Sequence, residues 1–199
     1  MAMKFLITLA HPSQQSQAHL IHSQIVSVLR AGGHEVRVRD LYAEGFDAIL
    51  TKGEWDDYFA DPSRLFLART RDIEDLSWAE ALVLVFPTWA FGPPAILKGW
   101  FEKAFLPGHA FTMPGPLDMP FGPGLPNIRR LICVTSGGSP SWLVWLIGQP
   151  VRRTITRGYR LMFHWTCRTK WFQLHRMDDV TDAQRQAFNA RVLRYFSSL

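Results

Sequence analysis

Residues 81–105 read ALVLVFPTWAFGPPAILKGWFEKAF, and they join a buried strand, an aromatic loop and an amphipathic helix without a break. Val83, Leu84, Val85 and Phe86 form a continuous apolar run, as expected of a central parallel strand covered on both faces. Pro87 ends the run. Thr88, Trp89, Ala90, Phe91 and Gly92 then carry two large rings beyond the carboxyl end of the strand, where open α/β sheets hold their ligands. Pro93 and Pro94 suit a helix start, because proline at the first helical position gives up no hydrogen bond. Ile96, Leu97, Trp100, Phe101 and Phe105 follow at helical spacing, the mark of a helix with one buried face.

Working outward, residues 4–9 read as a first strand and 11–16 as the loop after it. Leu20, Ile21, Ile25, Val28 and Leu29 share one face of a helix over 17–30, ended by Gly32 and Gly33. A short second strand over 35–39 alternates Val36 and Val38. A helix is expected over 61–75, opened by Asp61 and Pro62. Residues 130–135 read as a fourth strand, and an interrupted helical region as covering 142–166. A fifth strand is expected over 170–174. Thr181 with Gln184 three residues on is a capping-box spacing that opens the last helix. Strands alternating with helices predict an α/β fold, a flavodoxin-like doubly wound sheet of five parallel strands in the order 2-1-3-4-5, three layers α/β/α. One domain is expected over 1–199, with residues 107–126 as its long irregular segment.

That topology collects three strand-end loops in one crevice. The first contains His11, Ser13, Ser16, Gln17 and Ala18 and runs into a helix whose first amides have no internal partners, a setting that favours an anion. Taken alone, Ser16 is equally an ordinary N-cap and His11 an ordinary loop residue. The fourth-strand loop, with Thr135, Ser136, Gly137, Gly138 and Ser139, puts adjacent glycines where backbone can approach a flat ligand, or is a plain glycine turn. Amides there suit the polar edge of a heterocycle and negative charge developing on it. Trp89 and Phe91, outside both flanking periodicities, suit a clamp on a planar ring.

The chain has 199 residues and a formal net charge of +5, with 9 Lys+Arg against 12 Asp+Glu in residues 1–100 and 13 against 5 in residues 101–199. A site for phosphorylated ligands uses only a few of the excess cations, and most of the arginines read as a solvated basic face. With no recognised motif beside the charge, nucleic-acid binding has little support. No run approaches the roughly 20 apolar residues that cross a bilayer, and residues 1–10 do not read as a signal peptide, so a cytoplasmic location is expected. Cys133 and Cys167 lack the spacing of a disulfide framework or a zinc site, and Cys133 reads as core. No metal site is expected. Hydrolytic and metal motifs are missing too, which leaves reactivity to an organic cofactor.

Together, LITLAHPSQQS at 6–16, DLYAEGFDAIL at 40–50, FPTWAFGPPAILKGWFEKAF at 86–105 and VTSGGSPS at 134–141 resemble the flavodoxin-like NAD(P)H:quinone oxidoreductase family. That family spans mammalian quinone reductases, bacterial modulator-of-drug-activity reductases and the ancillary flavoproteins of potassium efflux systems. The resemblance implies a flavoenzyme, carrying FAD or alternatively FMN, that takes a hydride from NADH or NADPH and passes two electrons to a quinone-like acceptor in a ping-pong cycle. It implies His11, Ser16, Gln17 and Ala18 around the flavin phosphates, where the loop itself offers the Ser13 hydroxyl as a further donor. Pro87, Thr88, Trp89, Ala90 and Phe91 would lie along the ring system, and Thr135, Ser136, Gly137 and Gly138 at its edge. The backbone of Ser136, Gly137 and Gly138 would be the catalytic element, steadying the reduced ring. Trp89, Phe91, Phe111, Thr112 and Met113 match the substrate pocket, the last three reaching it from the second subunit of a homodimer.

The chain also departs from that family. Where mammalian members carry a tyrosine and a histidine for charge relay, this chain has Leu143 and Gln149, and Ala18 stands where relatives have an asparagine against adenine. The second reading is a regulatory flavoprotein that docks on a membrane transporter and reports redox state, through the run at 142–147 and Arg152, Arg153, Arg157 and Arg160, which follow it. Dimer interface or core is the preferred account of that run, and a membrane-surface contact is not favoured.

Overall fold

The computed structural model describes residues 2–112 and 122–199. The elements in chain order are β1 (Lys4–Leu9), α1 (Gln17–Ala31), β2 (Glu35–Asp40), α2 (Lys52–Ala60), α3 (Ser63–Ala68), α4 (Thr70–Trp78), β3 (Ala81–Pro87) and α5 (Ala95–Ala104). A two-residue pair, β4 (Phe111–Thr112) and β5 (Gly122–Pro123), precedes β6 (Arg130–Ser136), α6 (Ser141–Leu146), α7 (Pro150–Arg153), β7 (Arg168–Leu174) and α8 (Asp182–Ser197). The main sheet has the order β2-β1-β3-β6-β7 with every pairing parallel, as the alternation of strands and helices predicts.

Every residue of β3 is buried, which explains why its sequence runs apolar instead of alternating. Successive side chains leave a strand on opposite faces. Leu82, Leu84, Phe86, Leu131 and Cys133 therefore pack with α5 through Leu97, Trp100 and Phe101. Val83, Val85, Ile132 and Val134 pack on the other face with Ile21 and Ile25 of α1 and Phe188 and Val192 of α8. These two cores give three layers. Cys133 is fully buried, in accord with its apolar setting.

The expected helix over 61–75 is instead two, α3 and α4, and α2 was not anticipated. Thr51 and Glu54 form a complete capping box at the start of α2, so the signal was present at the right spacing. Arg69 interrupts the next stretch with φ −121°. Its guanidinium donates to Glu54 Oε1 at 2.6 Å and stands over the Phe46 ring at 5.7 Å. A tertiary attachment at Arg69 thus accompanies the break in the helix. In the 142–166 region, α6 and α7 are followed by a π-turn at Thr154–Gly158 and a 3₁₀ turn at Tyr159–Met162.

Candidate functional site

At the carboxyl edge of the sheet, the first loop, the β3 loop and the β6 loop meet. His11, Gln15, Ser16, Gln17 and Ala18 face Pro87, Thr88 and Trp89 and then Ser136, Gly137 and Gly138 across a cleft of about 470 Å³. It continues into a space of about 250 Å³ lined by Trp89, Ala90, Phe91, Gly137, Gly138 and Ser139. Thr88 Oγ1 and Thr135 Oγ1 lie 2.9 Å apart and hold the ends of β3 and β6 together.

At the first loop, Ser16 caps α1, its Oγ accepting from the His19 amide at 3.2 Å. The His19 ring links Ser16 Oγ at 3.1 Å to Asp40 Oδ2 at 3.1 Å. A carboxylate only accepts, so Nε2 carries a proton towards Asp40. His11 Nδ1 lies 3.0 Å from the Ser13 amide nitrogen and 3.2 Å from the Ser13 carbonyl oxygen. Burial lowers the His11 pKa, outweighing the opposite effect of the Ser13 backbone. The shift favours the neutral ring, whose proton sits on Nε2 when Nδ1 accepts from the Ser13 amide and on Nδ1 when it donates to the Ser13 carbonyl.

The β3 loop is a tight hairpin turn. Trp89 N–H donates to the Gly92 carbonyl at 3.0 Å and Gly92 N–H returns to the Trp89 carbonyl at 2.8 Å. Between them Ala90 and Phe91 have φ of 45° and 61°. Two consecutive positive φ values define a type I′ turn, normally the province of asparagine and glycine. Holding non-glycine residues there costs roughly 1–3 kcal/mol each. The turn leaves Trp89 44% exposed at the cleft wall.

In the β6 loop, the Gly137 amide is already engaged, donating to the Leu174 carbonyl at 2.9 Å as an extension of the β6–β7 ladder. This corrects the expectation that all three amides of Ser136, Gly137 and Gly138 serve a ligand. Gly138 N–H donates to no group among the described residues. A side chain on Gly137 would meet Thr88 at 3.5 Å and Gln173 Nε2 at 3.9 Å, both ordinary contacts, whereas one on Gly138 would press on Asp178 Oδ2 at 3.0 Å.

Other expected site residues lie elsewhere. Ser13 is exposed and does not line the cleft, and Thr135 is buried behind it. Phe111 packs against the α5 core and Thr112 Oγ1 accepts from the Gly122 amide at 3.0 Å, so neither lines the cleft of its own chain. Met113 lies outside the described residues. Trp142, Trp145, Leu146 and Ile147 are exposed, which rules out core as the account of that run. Leu143 and Gln149 do not line the cleft.

The structure also adds residues that sequence reasoning missed. Met177, Asp178 and Arg185 line the cleft from the segment before α8 and its first turns. Arg185 Nε and Gln17 Oε1 are buried without a hydrogen-bond partner, while Gln17 Nε2 donates to Asn189 Oδ1 at 2.5 Å. Nothing in the local sequence of α8 marks Arg185, because only the packing of α8 beside α1 brings it there.

The chain belongs to the flavodoxin-like fold family, whose profile matches residues 3–198. It is 34% identical over 151 residues to NAD(P)H dehydrogenase [quinone] 1 of Cavia porcellus, a match covering 68% of this chain and 54% of that protein. The chain spans between 54% and 64% of the curated relatives it matches. Among solved structures it resembles an NAD(P)H:quinone oxidoreductase from Methanothermobacter marburgensis, with TM-score 0.81, 22% identity and coverage of 99% of this chain and 98% of that one. It also resembles an FMN-dependent NADH-azoreductase from Bacillus anthracis in complex with FMN, with TM-score 0.78, 10% identity and coverage of 100% and 98%. At those identities the two structures speak for the fold. No described helix is long and apolar enough to cross a membrane.

Proposed function

We propose that this protein is a flavin-dependent NAD(P)H oxidoreductase whose acceptor is a quinone or a similar small molecule. One observation carries the reading: three strand-end loops, a helix N-terminus and a half-buried arginine whose Nε has no hydrogen-bond partner converge on a single cleft. The orphaned Arg185 Nε, the free N–H groups at the start of α1 and His11 form a donor set for phosphate. The Gly137 and Gly138 backbone beside Trp89 leaves room for a flat ring system. These features fit a flavin nucleotide. We favour FAD, with FMN as the alternative, since Ala18 takes away one expected adenine contact.

A bound flavin would supply two-electron hydride chemistry between the nicotinamide donor and the acceptor, in the ping-pong order we favour. The chain's own residues bind and orient. His11, Arg185 and the α1 amides hold the phosphate end, and the strained 89–92 turn fixes the Trp89 and Phe91 rings against the ring system. The Gly138 amide presents a fixed dipole to the polar edge, where negative charge collects. Leu143 and Gln149 carry no titratable group, so no proton relay runs through those two positions, and the backbone at Gly138 acts by position and electrostatics.

We also infer a homodimer. Phe111 and Thr112 do not line their own cleft, and in the arrangement we favour they serve the partner's pocket; sedimentation should give a dimer, and a fully active nanomolar monomer would overturn it. For the central reading, the test is the visible spectrum of the purified protein with and without added flavin, then chromatography of the acid-released cofactor. Bleaching by NADH or NADPH without oxygen and recovery with benzoquinone should follow. If neither FAD nor FMN binds at micromolar concentration, the proposal is wrong.

A further inference from the structure

The cleft does not end at Phe91. Val144 and Gln173, which line its aromatic end, also line a trough of about 650 Å³ along β7, the edge strand of the sheet. Trp142 and Trp145 form one wall, 65% and 71% exposed. Trp145, Gln149 and Arg152 carry the trough on into a second basin of about 560 Å³.

The charge of this surface is one-sided. Arg152, Lys170 and Arg191 line the trough, and Arg152, Arg153 and Arg157 the basin, with no carboxylate lining either. None of these five cations forms an ion pair among the described residues. Two are held over rings, Lys170 Nζ at 5.3 Å from the Phe172 and Tyr195 centroids and Arg191 at 5.5 Å from Phe188. Clustered like charges raise the energy of the empty surface and concentrate anions over it. Exposed tryptophans offer faces for a ring to stack on.

We propose that this trough receives the phosphorylated adenosine end of the nicotinamide donor and selects a donor bearing a 2′-phosphate, that is NADPH over NADH. The inference rests on the flavin reading above. A donor whose nicotinamide stacks on a flavin ring held between Trp89 and Gly138 would lead its remaining phosphates and second ring out past Val144 and Gln173, which line both the aromatic end of the cleft and the trough. Sites that prefer the 2′-hydroxyl present a carboxylate to it, and those that prefer the 2′-phosphate present a cation. Here there are five cations and no carboxylate.

The test uses the flavin-loaded protein and adenosine 2′,5′-bisphosphate, a donor fragment without nicotinamide, in calorimetric titration beside 5′-AMP. The bisphosphate should bind at least tenfold more tightly. That preference should collapse in the double variant Lys170→Gln, Arg191→Gln, with flavin content unchanged. Equal affinities, no binding at millimolar concentration, or a preference that survives the double variant would overturn the proposal. Anthraquinone-2-sulfonate offers the same chemistry of a ring with an anion from the acceptor side. If it binds in the trough and the bisphosphate does not, the surface belongs to the acceptor and the donor assignment falls. A protein that stays colourless with added flavin would sink the flavin reading instead, on a separate readout.

Discussion

Gly99 and Gly137 are both small residues at points of close approach, yet they sit in opposite kinds of surroundings. At Gly99 on α5 an added Cβ would stand 2.2 Å from the Ala48 carbonyl oxygen and 2.6 Å from Ala48 Cβ, because the chain between β2 and α2 is laid directly on the helix. Beside it the buried Lys103 Nζ donates to the Ile49 carbonyl at 2.8 Å and pairs with Glu54 at 3.0 Å and Asp47 at 3.3 Å. Burial raises the Glu54 pKa, but bonds from Thr51, Lys103 and Arg69 prevail and hold it at about 2. At Gly137 an added Cβ would find ordinary contact at 3.5 Å, and the nearby polar atoms Gln17 Oε1 and Arg185 Nε have no partners. The α5 side closes on itself, with its space filled and its charges matched. The cleft leaves space and polar groups for something else.

The sharpest way to break that comparison is to put a methyl group at Gly99. Backbone atoms cannot yield as a flexible side chain can, so Gly99→Ala should lower stability by about 3 kcal/mol or more in urea unfolding of flavin-free protein. A loss below about 1 kcal/mol would mean that the 41–51 segment does not press on α5.

His22 is an unpartnered group that belongs to neither region. It lies on the buried face of α1 with Nε2 orphaned, and burial holds its pKa down to about 4 from an ordinary 6.5, outweighing the pull of Asp40. The unfolded chain takes up this proton near pH 6.5 and the folded chain only near pH 4. Stability from this residue is therefore complete above pH 6.5 and is lost as pH falls towards 4, by about 3 kcal/mol. Unfolding of the native protein and of His22→Gln between pH 4 and 7 should show that difference, and parallel pH curves would remove His22 from the account.

Gly137→Val separates the two regions most directly. Flavin affinity should fall at least a hundredfold, about 2.7 kcal/mol, while flavin-free stability moves by less than about 1 kcal/mol. A folded variant with undiminished flavin content would place the ring elsewhere. Arg185→Gln should weaken flavin binding by about tenfold, ~1.4 kcal/mol, whereas the exposed Arg194→Gln on the same helix should leave it unchanged. Equal effects would reduce Arg185 to general surface charge.

The smallest effect is expected at Gln149. It sits at φ 53° outside the cleft, its Oε1 accepting from Arg152 at 2.9 Å. Gln149→Ala should slow flavin reduction by less than tenfold, below ~1.4 kcal/mol of barrier, with no ionisation between pH 5.5 and 9 assignable to that position. A hundredfold loss in stopped-flow reduction, with flavin still bound, would show that the glutamine acts on the charge and that the Gly138 dipole does not suffice.

The sheet was legible in the sequence because its causes are local: apolar runs where both faces are covered, glycine and proline at the ends, and a capping box at Thr181. Strand order followed from the hand of parallel crossovers, and the three loops of the cleft from strand order. The same local reasoning had the means to find α2 through Thr51 and Glu54, and passed it by. What only the tertiary structure decided depends on atoms far apart in the chain. Arg185 reaches the cleft because α8 packs beside α1. Gly137's amide is taken by Leu174 across the sheet, and Phe111 turns towards α5 and away from its own cleft. Gly99 carries no sign in its neighbours that Ala48 will lie upon it. Periodicity fixes which face of an element is buried, but the partner against that face, and the polar atoms left over when it arrives, are set by packing between segments that the local sequence does not compare.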